Sequence, residues 1–255
     1  MVHPKKHLGQ HFLTDPSIAE RIVNLVPEGR HRTVLEVGPG KGILTDFLIR
    51  KNFEHFVAVE IDSESVSFLN AKYSRESVVI QHDDILKMNL DEFEGDSLCV
   101  IGNFPYNISS QIFFRVLEFR KDVNLVVCMI QKEVADRIVA PPGSKTYGIL
   151  SVLLQAYYSP KLIFNVKPGS FFPPPKVTSS VITLQRNETT SLGCDEKLFH
   201  RVVKATFNQR RKTIRNSLKS ILLNLGDDFE LLSKRPEQLG VQEFVDLSNW
   251  VSERL

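Results

Sequence analysis

The sequence has few cysteines and no apolar run of membrane-spanning length. Its three cysteines (Cys99, Cys128 and Cys194) are scattered and form no C-x-x-C pair, which argues against a disulfide framework and a zinc site and favours a cytoplasmic protein. The histidines lack metal-ligand spacing, so we expect no metal. Apolar runs such as Leu125–Ile130 are too short to cross a bilayer. No G-x-x-x-x-G-K-[ST] or G-x-S-x-G motif occurs, which argues against P-loop and α/β-hydrolase chemistry.

Basic and acidic residues are unevenly distributed along the 255 residues, although the formal net charge is only +2. The segment from Lys197 to Lys219 holds eight basic residues and no acid, and the segment from Arg137 to Asn187 holds six basic residues and no acid. The remainder holds 18 basic and 30 acidic residues, a net charge of −12. This asymmetry is typical of a polyanion-binding half joined to an acidic half. Solvated faces that are balanced elsewhere in the fold would leave the same pattern.

The first half of the chain alternates between strand and helix patterns. The predicted strands are Thr33–Gly38, His55–Asp62, Ser77–Asp83, Leu98–Gly102 and Asn124–Ile130. The predicted helices between them are Ile43–Arg50, Ser65–Lys72 and one that begins near Ser109 or Ser110. Repeated β-α units of this length predict an α/β fold with a doubly wound, Rossmann-like parallel sheet.

The pattern changes after Gly148. We predict a helix at Ile149–Tyr158 and strands at Lys161–Val166 and Ser179–Gln185, and we expect the proline-rich stretch Pro168–Lys176 between these strands to be irregular. A polar stretch near Asn187–Gly193 is typical of a linker. Beyond it the patterns are helical, at about Asp195–Asn208, Arg211–Leu225, Phe229–Lys234 and Gln242–Arg254. We therefore predict an α/β domain over residues 1–190 and a small all-α domain over residues 191–255.

A glycine-rich turn follows the first predicted strand and opens a helix. In Glu36-Val-Gly-Pro-Gly-Lys-Gly42, glycines such as Gly38 and Gly40 let the backbone turn tightly and let a ligand approach closely. The spacing is G-x-G-x-G and not G-x-G-x-x-G, which favours a cofactor without phosphates. Glu36 could orient this loop or meet the ammonium of a zwitterion.

Two further acids end neighbouring strands. Glu60 stands where a doubly wound fold places a carboxylate against ribose hydroxyls, and Asp83 is placed to accept a hydrogen bond from an exocyclic amine. Ribose, an adenine amine and an ammonium without phosphate describe S-adenosylmethionine. We therefore predict a methyltransferase domain with this cofactor.

The fourth predicted strand leads into Asn103-Phe-Pro-Tyr106. The side-chain oxygen of Asn103 and the backbone carbonyl of Phe104 would accept both protons of an exocyclic amine and turn its lone pair toward the methyl group. Pro105 stiffens the turn, and Tyr106 offers a stacking face for an extruded base. Phe171 is a candidate second aromatic wall, although a phenylalanine buried under the proline-rich segment is an equally good interpretation.

These motifs together resemble the KsgA family of small-subunit rRNA adenine N6,N6-dimethyltransferases, of which the erythromycin-resistance methylases are cousins. The matching segments are Lys5-Lys-His-Leu-Gly-Gln-His-Phe-Leu13, Glu36–Gly42, Val59–Asp62, His82–Asp83, Gly102–Ser109, Phe171–Val177 and Asn208-Gln-Arg-Arg-Lys-Thr213. The resemblance implies cofactor contacts from His11 and Leu13, together with Gly38, Glu60, Asp83 and Asn103. Many relatives carry Asn at position 11, and Asp84 follows Asp83 here, so either acid is a candidate for the adenine contact.

The resemblance also implies a substrate. It is a pair of adjacent adenosines in a hairpin loop near the 3′ end of small-subunit (16S) rRNA, within an immature 30S particle. Each is dimethylated, so up to four cofactor molecules are consumed. We expect the helical domain to help bind this rRNA through phosphate contacts from Arg210, Arg211, Lys212 and Arg215. We expect a monomer that contacts no membrane.

Other functions stay open from the sequence alone. The runner-up is a resistance-type methylase of large-subunit rRNA. The Lys5–Leu13 segment and the long helical tail favour the small-subunit enzyme over it. A non-catalytic nucleic-acid-binding relative is disfavoured by the intact Asn103–Tyr106 motif. A DNA adenine methylase lacks an evident sequence-reading domain here, and an NAD-dependent oxidoreductase does not fit the glycine spacing.

Overall fold

A computed structural model describes residues 2–51, 53–93, 95, 97–222 and 229–255. The chain divides into two compact units. The first unit runs to Ala135 and includes Pro160–Arg186, whereas the second comprises Asp136–Ser159 and Asn187–Leu255. The later junction lies close to the predicted boundary at residue 190, but no sequence pattern indicates that Asp136–Ser159 belongs with the helical unit. The division into domains at residue 190 therefore stays a prediction.

The strands and helices follow one another in the order that the sequence pattern predicts for most of the chain. The strands are β1 (Phe12–Leu13), β2 (Thr33–Val37), β3 (His55–Glu60), β4 (Val78–His82), β5 (Leu98–Asn103), β6 (Val123–Gln131), β7 (Tyr158–Val166), β8 (Phe171–Phe172) and β9 (Ser179–Arg186). The helices are α1 (Pro16–Val23), α2 (Thr45–Leu48), α3 (Ser63–Lys72), α4 (Ser109–Glu118), α5 (Lys132–Val139), α6 (Ile149–Gln155), α7 (Glu196–Asn208), α8 (Ile214–Ser217) and α9 (Val241–Ser252). Short 3₁₀ helices occupy Lys6–Leu8, Asp91–Phe93, Pro168–Ser170, Leu218–Ser220, Glu230–Ser233 and Pro236–Gln238.

A seven-stranded sheet forms the centre of the first unit, with strand order β4-β3-β2-β5-β6-β9-β7. The neighbours from β4 to β6 are parallel, and β9 is antiparallel to β6. All five residues of β2 are buried, as expected for a central strand that is covered on both faces. The predicted doubly wound α/β fold is confirmed, with the late strands added to the same sheet at the β6 edge.

The main core of the first unit lies on one face of this sheet. Alternate strand residues such as Val34, Phe56, Cys99 and Val127 point to that face, because side chains along a strand alternate between its two sides. Residues of α1, α2 and α3 pack against them, and the exposed fraction of Leu48 and of other central residues is 0%. The packing fixes the sheet, and therefore fixes the positions of the loops at its carboxyl edge.

Local sequence signals explain where α1 and α7 begin. Asp15 caps α1 because its carboxylate accepts the backbone N–H of Ser17 at 3.0 Å, and Pro16 takes the first helical position, where no N–H is needed. Asp195 caps α7 in the same way by accepting the N–H of Leu198 at 3.0 Å.

Several predicted elements differ from the structure, among them the helix Ile149–Tyr158, which ends at Gln155, and the helix Phe229–Lys234, which is a 3₁₀ turn. The proline-rich stretch, predicted to be irregular, contains a 3₁₀ turn at Pro168–Ser170 and the short strand β8, which pairs with β1. The predicted helix Ile43–Arg50 is reduced to α2. The predicted helix Arg211–Leu225 is broken into α8 and a 3₁₀ turn, and its last three residues lie outside the described residues.

The second unit is helical and has an aromatic centre. The ring centroid of Phe207 on α7 lies 6.1 Å from that of Tyr147 and 5.8 Å from that of Phe244 on α9. These rings are buried, so α7 and α9 are held by apolar packing. Across both units, none of the described helices has the length and apolar character needed to span a membrane.

Candidate active site

The carboxyl ends of the parallel strands surround a cavity with about 690 Å³ of space, part of it open to solvent. Such a volume suits a ligand of cofactor size, and this edge of a doubly wound sheet is where ligands bind. Most of the predicted site residues line it: His11, Gly38, Gly40, Glu60, Asp83, Asn103, Phe104, Pro105 and Tyr106. The topology therefore brings together residues that are separated by up to 95 positions in the sequence.

The glycine turn needs glycine for two separate reasons. Gly38 and Gly40 have φ angles of +69° and +59°, a left-handed conformation that side chains disfavour. A Cβ atom on Gly40 would also lie 2.8 Å from the ring of Phe12, which lines the cavity. At Gly40, the space that a side chain would need is therefore already occupied by Phe12.

Glu60 is buried at the end of β3, with 4% of its surface exposed. One carboxylate oxygen accepts the N–H of Gly40 at 3.1 Å, and the other accepts the N–H of Asp62 at 2.9 Å. Burial raises the pKa of Glu60, against the effect of these backbone hydrogen bonds, which lower it. The backbone N–H of Ile61 also lowers this pKa, so three backbone donors approach the carboxylate, whose four acceptor sites leave room for a hydroxyl group of a ligand.

Asp83 and Asp84 both line the cavity, but they differ in their partners. The side chain of Asp84 accepts the N–H of Leu86 at 3.0 Å and so belongs to the turn that follows β4. Asp83 accepts only the N–H of Asp84, at 2.7 Å, on Oδ1. Its Oδ2 receives no hydrogen bond from the described part of the chain, which favours Asp83 as the acceptor for a ligand amine.

Glu36 does not line the large cavity. It borders a smaller one, with about 310 Å³ of space, that shares Gly38 and Asn103 with the large cavity and also touches Leu13. Only 1% of Glu36 is exposed, and its carboxylate accepts the hydroxyl of Thr45 at 2.7 Å. Burial raises the pKa of Glu36 to about 8, so the side chain is mostly neutral at pH 7.

Asn103 is held in one orientation by the N-terminal segment. Its side-chain Nδ2 donates to the backbone carbonyl of His11 at 2.8 Å. Because a carbonyl only accepts, the amide oxygen of Asn103 must point the other way. This Oδ1 has no hydrogen-bond partner within the described ranges.

Phe104 serves through its backbone, because its ring is buried with no exposed surface. The ring meets Phe113 of α4 edge to face at 5.9 Å, and its N–H donates to the carbonyl of Met129 at 3.1 Å. Its own carbonyl accepts no hydrogen bond from any residue that the structure describes. The Asn103 and Phe104 oxygens are thus two adjacent acceptors without donors.

His11 and Tyr106 stack beside these acceptors, with ring centroids 5.4 Å apart and planes inclined by 27°. His11 Nδ1 lies 2.7 Å from the carbonyl of Pro173 and must carry the proton of that hydrogen bond. The hydroxyl of Tyr106 forms a hydrogen bond with the hydroxyl of Ser179 on β9. One face of Tyr106 is therefore covered by the histidine, and only the other remains for a base.

Phe171, predicted as a second aromatic wall for the base, does not line the cavity. Phe171 is only 4% exposed and lies in the core with Leu13, Val166 and Val181. Its neighbour Phe172 is 58% exposed. The alternation of side chains along β8 explains this difference, because Phe171 pairs with Leu13 on the inner side. The burial favours the alternative interpretation of Phe171 as a core residue.

The N-terminal segment contributes more to the cavity than the sequence predicted. Leu8, Gly9, Gln10 and Phe12 join His11 in the lining. Lys5 anchors this segment through an ion pair with Asp62, and its backbone N–H donates to the side chain of Gln10 at 2.8 Å. The sequence around Lys5 has no pattern that predicts the ion pair with Asp62 or the hydrogen bond to Gln10.

The four basic residues predicted to bind RNA differ in their surroundings within the second unit. Arg210 donates to the carbonyl of Ser144 at 3.2 Å and lies 3.9 Å from Glu237, so it is partly engaged. Arg215 is half-buried on α8, whereas Arg211 and Lys212 are exposed. Three further exposed basic residues follow one face of α7: Lys197, Arg201 and Lys204.

No group of three or more His, Cys, Asp or Glu side chains within the described residues is arranged to hold a metal ion. The side chains that converge at the cavity are instead carboxylates, an amide and aromatic rings. These groups suit a ligand with hydroxyl groups, an amine and a flat ring.

The comparisons agree with this geometry. The ribosomal RNA adenine dimethylase family matches residues 1–246. The chain is 54% identical to the ribosomal RNA small subunit methyltransferase A of Bacteroides thetaiotaomicron, over 100% of this chain and 96% of that protein. It is 51% identical to the protein of the same name from Cytophaga hutchinsonii, over 98% of each.

Solved structures share the fold at lower identity. A dimethyladenosine transferase from Plasmodium falciparum is 24% identical, with a TM-score of 0.81 over 96% of this chain and 98% of that one. The 23S rRNA methyltransferase ErmE is 22% identical, with a TM-score of 0.70 over 94% of this chain and 99% of that one. Because the family model matches nearly the whole length of the chain, the chain belongs to the ribosomal RNA adenine dimethylase family, as its motifs predicted.

Proposed function

We propose that this protein transfers methyl groups from S-adenosylmethionine to the N6 amines of two adjacent adenosines in the hairpin loop near the 3′ end of small-subunit (16S) rRNA, with two methyl groups on each. Membership of the family makes it an S-adenosylmethionine-dependent rRNA methyltransferase. The observation that carries the proposal is the pair of unpartnered acceptors, Asn103 Oδ1 and Phe104 O, beside a cofactor-sized cavity.

The residues of the cavity fit S-adenosylmethionine. Glu60 keeps acceptor capacity for a ribose hydroxyl beside its backbone N–H partners. Asp83 keeps Oδ2 for the adenine amine, so we assign the adenine contact to it and not to Asp84. Gly38 and Gly40 line the cavity with no side chain of their own. We assign further contacts to His11 and to Leu13, which lies at the smaller cavity.

Glu36 supports the loop in this account and does not meet the ammonium. Its burial and its hydrogen bond to Thr45, the first residue of α2, support this assignment. A carboxyl with a pKa of about 8 is mostly neutral at pH 7 and gives little charge to a cation.

Methyl transfer to an exocyclic amine needs orientation more than acid–base chemistry. The amine of adenine is a poor nucleophile because its lone pair is delocalised into the ring. Two hydrogen bonds, to Asn103 Oδ1 and Phe104 O, would turn that lone pair out of the ring plane. S-adenosylmethionine bound in the cavity would supply an electrophilic methyl group on a sulfonium, which would leave as a neutral thioether on transfer. Asn103 Oδ1 and Phe104 O would hold the amine nitrogen toward that methyl group, and the alkylated amine would release its proton to water.

The neighbouring groups hold this arrangement in place. Pro105 stiffens the turn, and Tyr106 presents its uncovered face to the base. Because the acceptors are pre-positioned by His11 and Met129, no reorganisation is needed when the amine enters. For the second transfer the remaining amine proton needs only one of the two acceptors.

The basic residues of the helical unit are proposed to hold the rRNA backbone. Arg211 and Lys212 are exposed and suited to phosphates, with Arg210 and Arg215 as partly engaged neighbours. The exposed basic face of α7 would extend this surface. We expect a monomeric protein that acts on immature 30S particles in the cytoplasm.

The choice of the small subunit rests on the relatives. Those at 54% and 51% identity are named small subunit methyltransferases, whereas the large-subunit enzyme ErmE is 22% identical. The intact Asn103–Phe104 acceptor pair favours an enzyme over a non-catalytic RNA-binding relative.

A transfer assay tests the proposal. The protein is incubated with methyl-labelled S-adenosylmethionine and either undermethylated small subunits or large subunits. We expect label in the small subunits alone. Label in the large subunits would favour the resistance-type activity, and rRNA binding without any transfer would favour the non-catalytic relative. Either result would overturn the proposed function.

A further inference from the structure

Phe172 leaves a large aromatic ring in solvent beside the active site. Its exposed fraction is 58%, against 4% for Phe171. A single exposed phenylalanine is common on protein surfaces and carries no function by itself, so the position of this ring and the support of its backbone decide whether it has one.

The ring stands at the edge of the cavity. Phe172 pairs with Phe12 across the β1–β8 ladder, and Phe12 lines the cavity. The next residue, Pro173, accepts the hydrogen bond of His11, whose ring stacks on Tyr106. Phe172 therefore precedes the residue that holds His11, and its strand partner Phe12 follows His11, the ring that stacks on Tyr106.

The segment that carries Phe172 is pinned at both ends. At one end the carbonyl of Ser170 accepts the N–H and the hydroxyl of Thr14, at 2.8 and 3.0 Å. At the other end the carbonyl of Thr178 accepts the N–H of Lys132 at 2.9 Å. A ring on a fixed backbone is ordered before binding, so a ligand that stacks on it does not have to order the segment.

The chemistry around the ring suits RNA. Residues 167–177 contain two lysines, Lys167 and Lys176, and no acid, and both lysines are exposed. Pro174 and Val177 extend the apolar surface. An aromatic plane flanked by cations is the combination that binds unpaired bases through stacking and their phosphates through charge.

The other aromatic rings at this edge are already used. Phe104 and Phe171 are buried, and one face of Tyr106 is covered by His11. The proposed substrate has two adjacent target adenosines. When one is extruded into the site, its neighbour loses a stacking partner in the loop.

We propose that Phe172 stacks on the adenosine next to the one being methylated and so holds the second target at the rim of the site. This inference rests on the proposed function and names a residue for the positioning of its substrate. Base–aromatic stacking contributes about 1–3 kcal/mol by alanine substitution, or roughly a 5- to 150-fold change in affinity.

The test compares Phe172→Ala, Phe172→Trp and, as a matched control, Phe68→Ala, which removes another exposed ring from the same unit. Methylation of undermethylated small subunits gives KM and kcat, and calorimetry gives the affinity for S-adenosylmethionine. We expect Phe172→Ala to raise KM for the subunit at least fivefold with unchanged cofactor affinity. Phe172→Trp and Phe68→Ala should stay within about twofold of the wild type.

A spectroscopic probe separates stacking from a general structural effect. A hairpin RNA carries 2-aminopurine in place of the adenosine that adjoins the target, because the fluorescence of this base falls when it stacks. We expect lower fluorescence with the wild type and Phe172→Trp than with Phe172→Ala, at saturating protein. Equal fluorescence, or an unchanged KM, would overturn the stacking role. A wild-type protein that binds the hairpin and subunits but transfers no methyl would instead overturn the proposed function.

Discussion

The side-chain Nδ2 of Asn103 donates to the backbone carbonyl of His11 across 2.8 Å, although the two residues are 92 positions apart. This bond decides which way the amide of Asn103 points, because only its NH₂ end can face a carbonyl. The oxygen is thereby presented on the opposite side, next in the chain to the carbonyl of Phe104, which accepts no hydrogen bond from the described residues. The N-terminal segment is thus part of the acceptor site, and the role of Asn103 depends on both ends of its amide.

Replacement of Asn103 tests that role. We expect Asn103→Ala to lower kcat by at least a hundredfold, since removing one pre-organised hydrogen-bonding group from an active site costs about 10²–10³ in rate. The residue is half-buried and makes one hydrogen bond, so the variant should fold. The measurement is label transfer to undermethylated small subunits, with circular dichroism to verify the fold.

Two further variants sharpen this result. Asn103→Asp keeps an acceptor but cannot donate to His11, so it should lose activity as well. Asn89→Ala, at an exposed asparagine, should retain it. Activity in Asn103→Ala within a few-fold of the wild type would remove Asn103 from the amine-orienting role.

Glu60 controls cofactor affinity in this account. Glu60→Ala removes the acceptors for the ribose and also leaves the N–H groups of Gly40 and Asp62 without their partner. Hydrogen bonds to charged groups are each worth about 1.5–3 kcal/mol, so we expect at least a tenfold rise in the Kd for S-adenosylmethionine. Calorimetry measures it, with the exposed Glu76→Ala as control. A Kd within twofold of the wild type would contradict the ribose contact.

Glu36 predicts a pH dependence of stability. Its pKa is about 8 in the native state, raised by burial from 4.5. Below pH 4.5 the group is protonated in both the native and the unfolded state. Between pH 4.5 and 8 the unfolded chain releases a proton that the native protein keeps, so the free energy of unfolding falls as pH rises, by at most about 1.4 kcal/mol per unit.

Glu36→Gln removes this titration. We expect the difference in Tm between Glu36→Gln and the wild type to move in favour of the variant as pH rises from 5 to 8. Calorimetric scans at three pH values measure it, with Glu76→Gln as an exposed control. Parallel curves for Glu36→Gln and the wild type would show that Glu36 is ionised in the native protein. Because Glu36 only supports the loop, the variant should bind the cofactor within about threefold of the wild type.

Arg211 and Lys212 are expected to bind rRNA phosphates. The double variant Arg211→Glu/Lys212→Glu should lower affinity for the small subunit and reduce the slope of log K against log salt by about two, because each phosphate contact releases roughly one counterion. Filter binding at several salt concentrations measures both. Arg75→Glu/Lys121→Glu carries the same change in charge at exposed positions of the first unit and should leave the slope unchanged. An equal loss of affinity and of slope in both double variants would show that net charge alone controls binding, and would contradict phosphate contacts from Arg211 and Lys212.

The sequence pattern predicted the sheet well because central parallel strands are continuous apolar runs. Both β2 and β6 were predicted to within about two residues at each end. The loops after these strands carry the site, so the positions of Gly38, Glu60, Asp83 and Asn103 at one edge followed from the topology. The family resemblance added His11 and Leu13, for which no periodicity argument existed.

What the sequence could not predict depends on contacts between distant segments. The two-residue strands β1 and β8 are too short for a periodic pattern, and their pairing is what buries Phe171 and exposes Phe172. A basic run in the sequence also cannot show which of its side chains form hydrogen bonds within the protein. Arg210 donates to the carbonyl of Ser144, 66 positions away, whereas Arg211 is exposed. The grouping of Asp136–Ser159 with the helical unit likewise arises from packing and not from composition.

The most direct test of the central claim is to map the methyl groups. Undermethylated small subunits are incubated with the protein and labelled S-adenosylmethionine, and the rRNA is digested and analysed by mass spectrometry. We expect N6,N6-dimethyladenosine at two adjacent positions of the 3′-end hairpin loop, and none with Asn103→Ala. Label at any other nucleotide, or its absence from that hairpin, would contradict that claim.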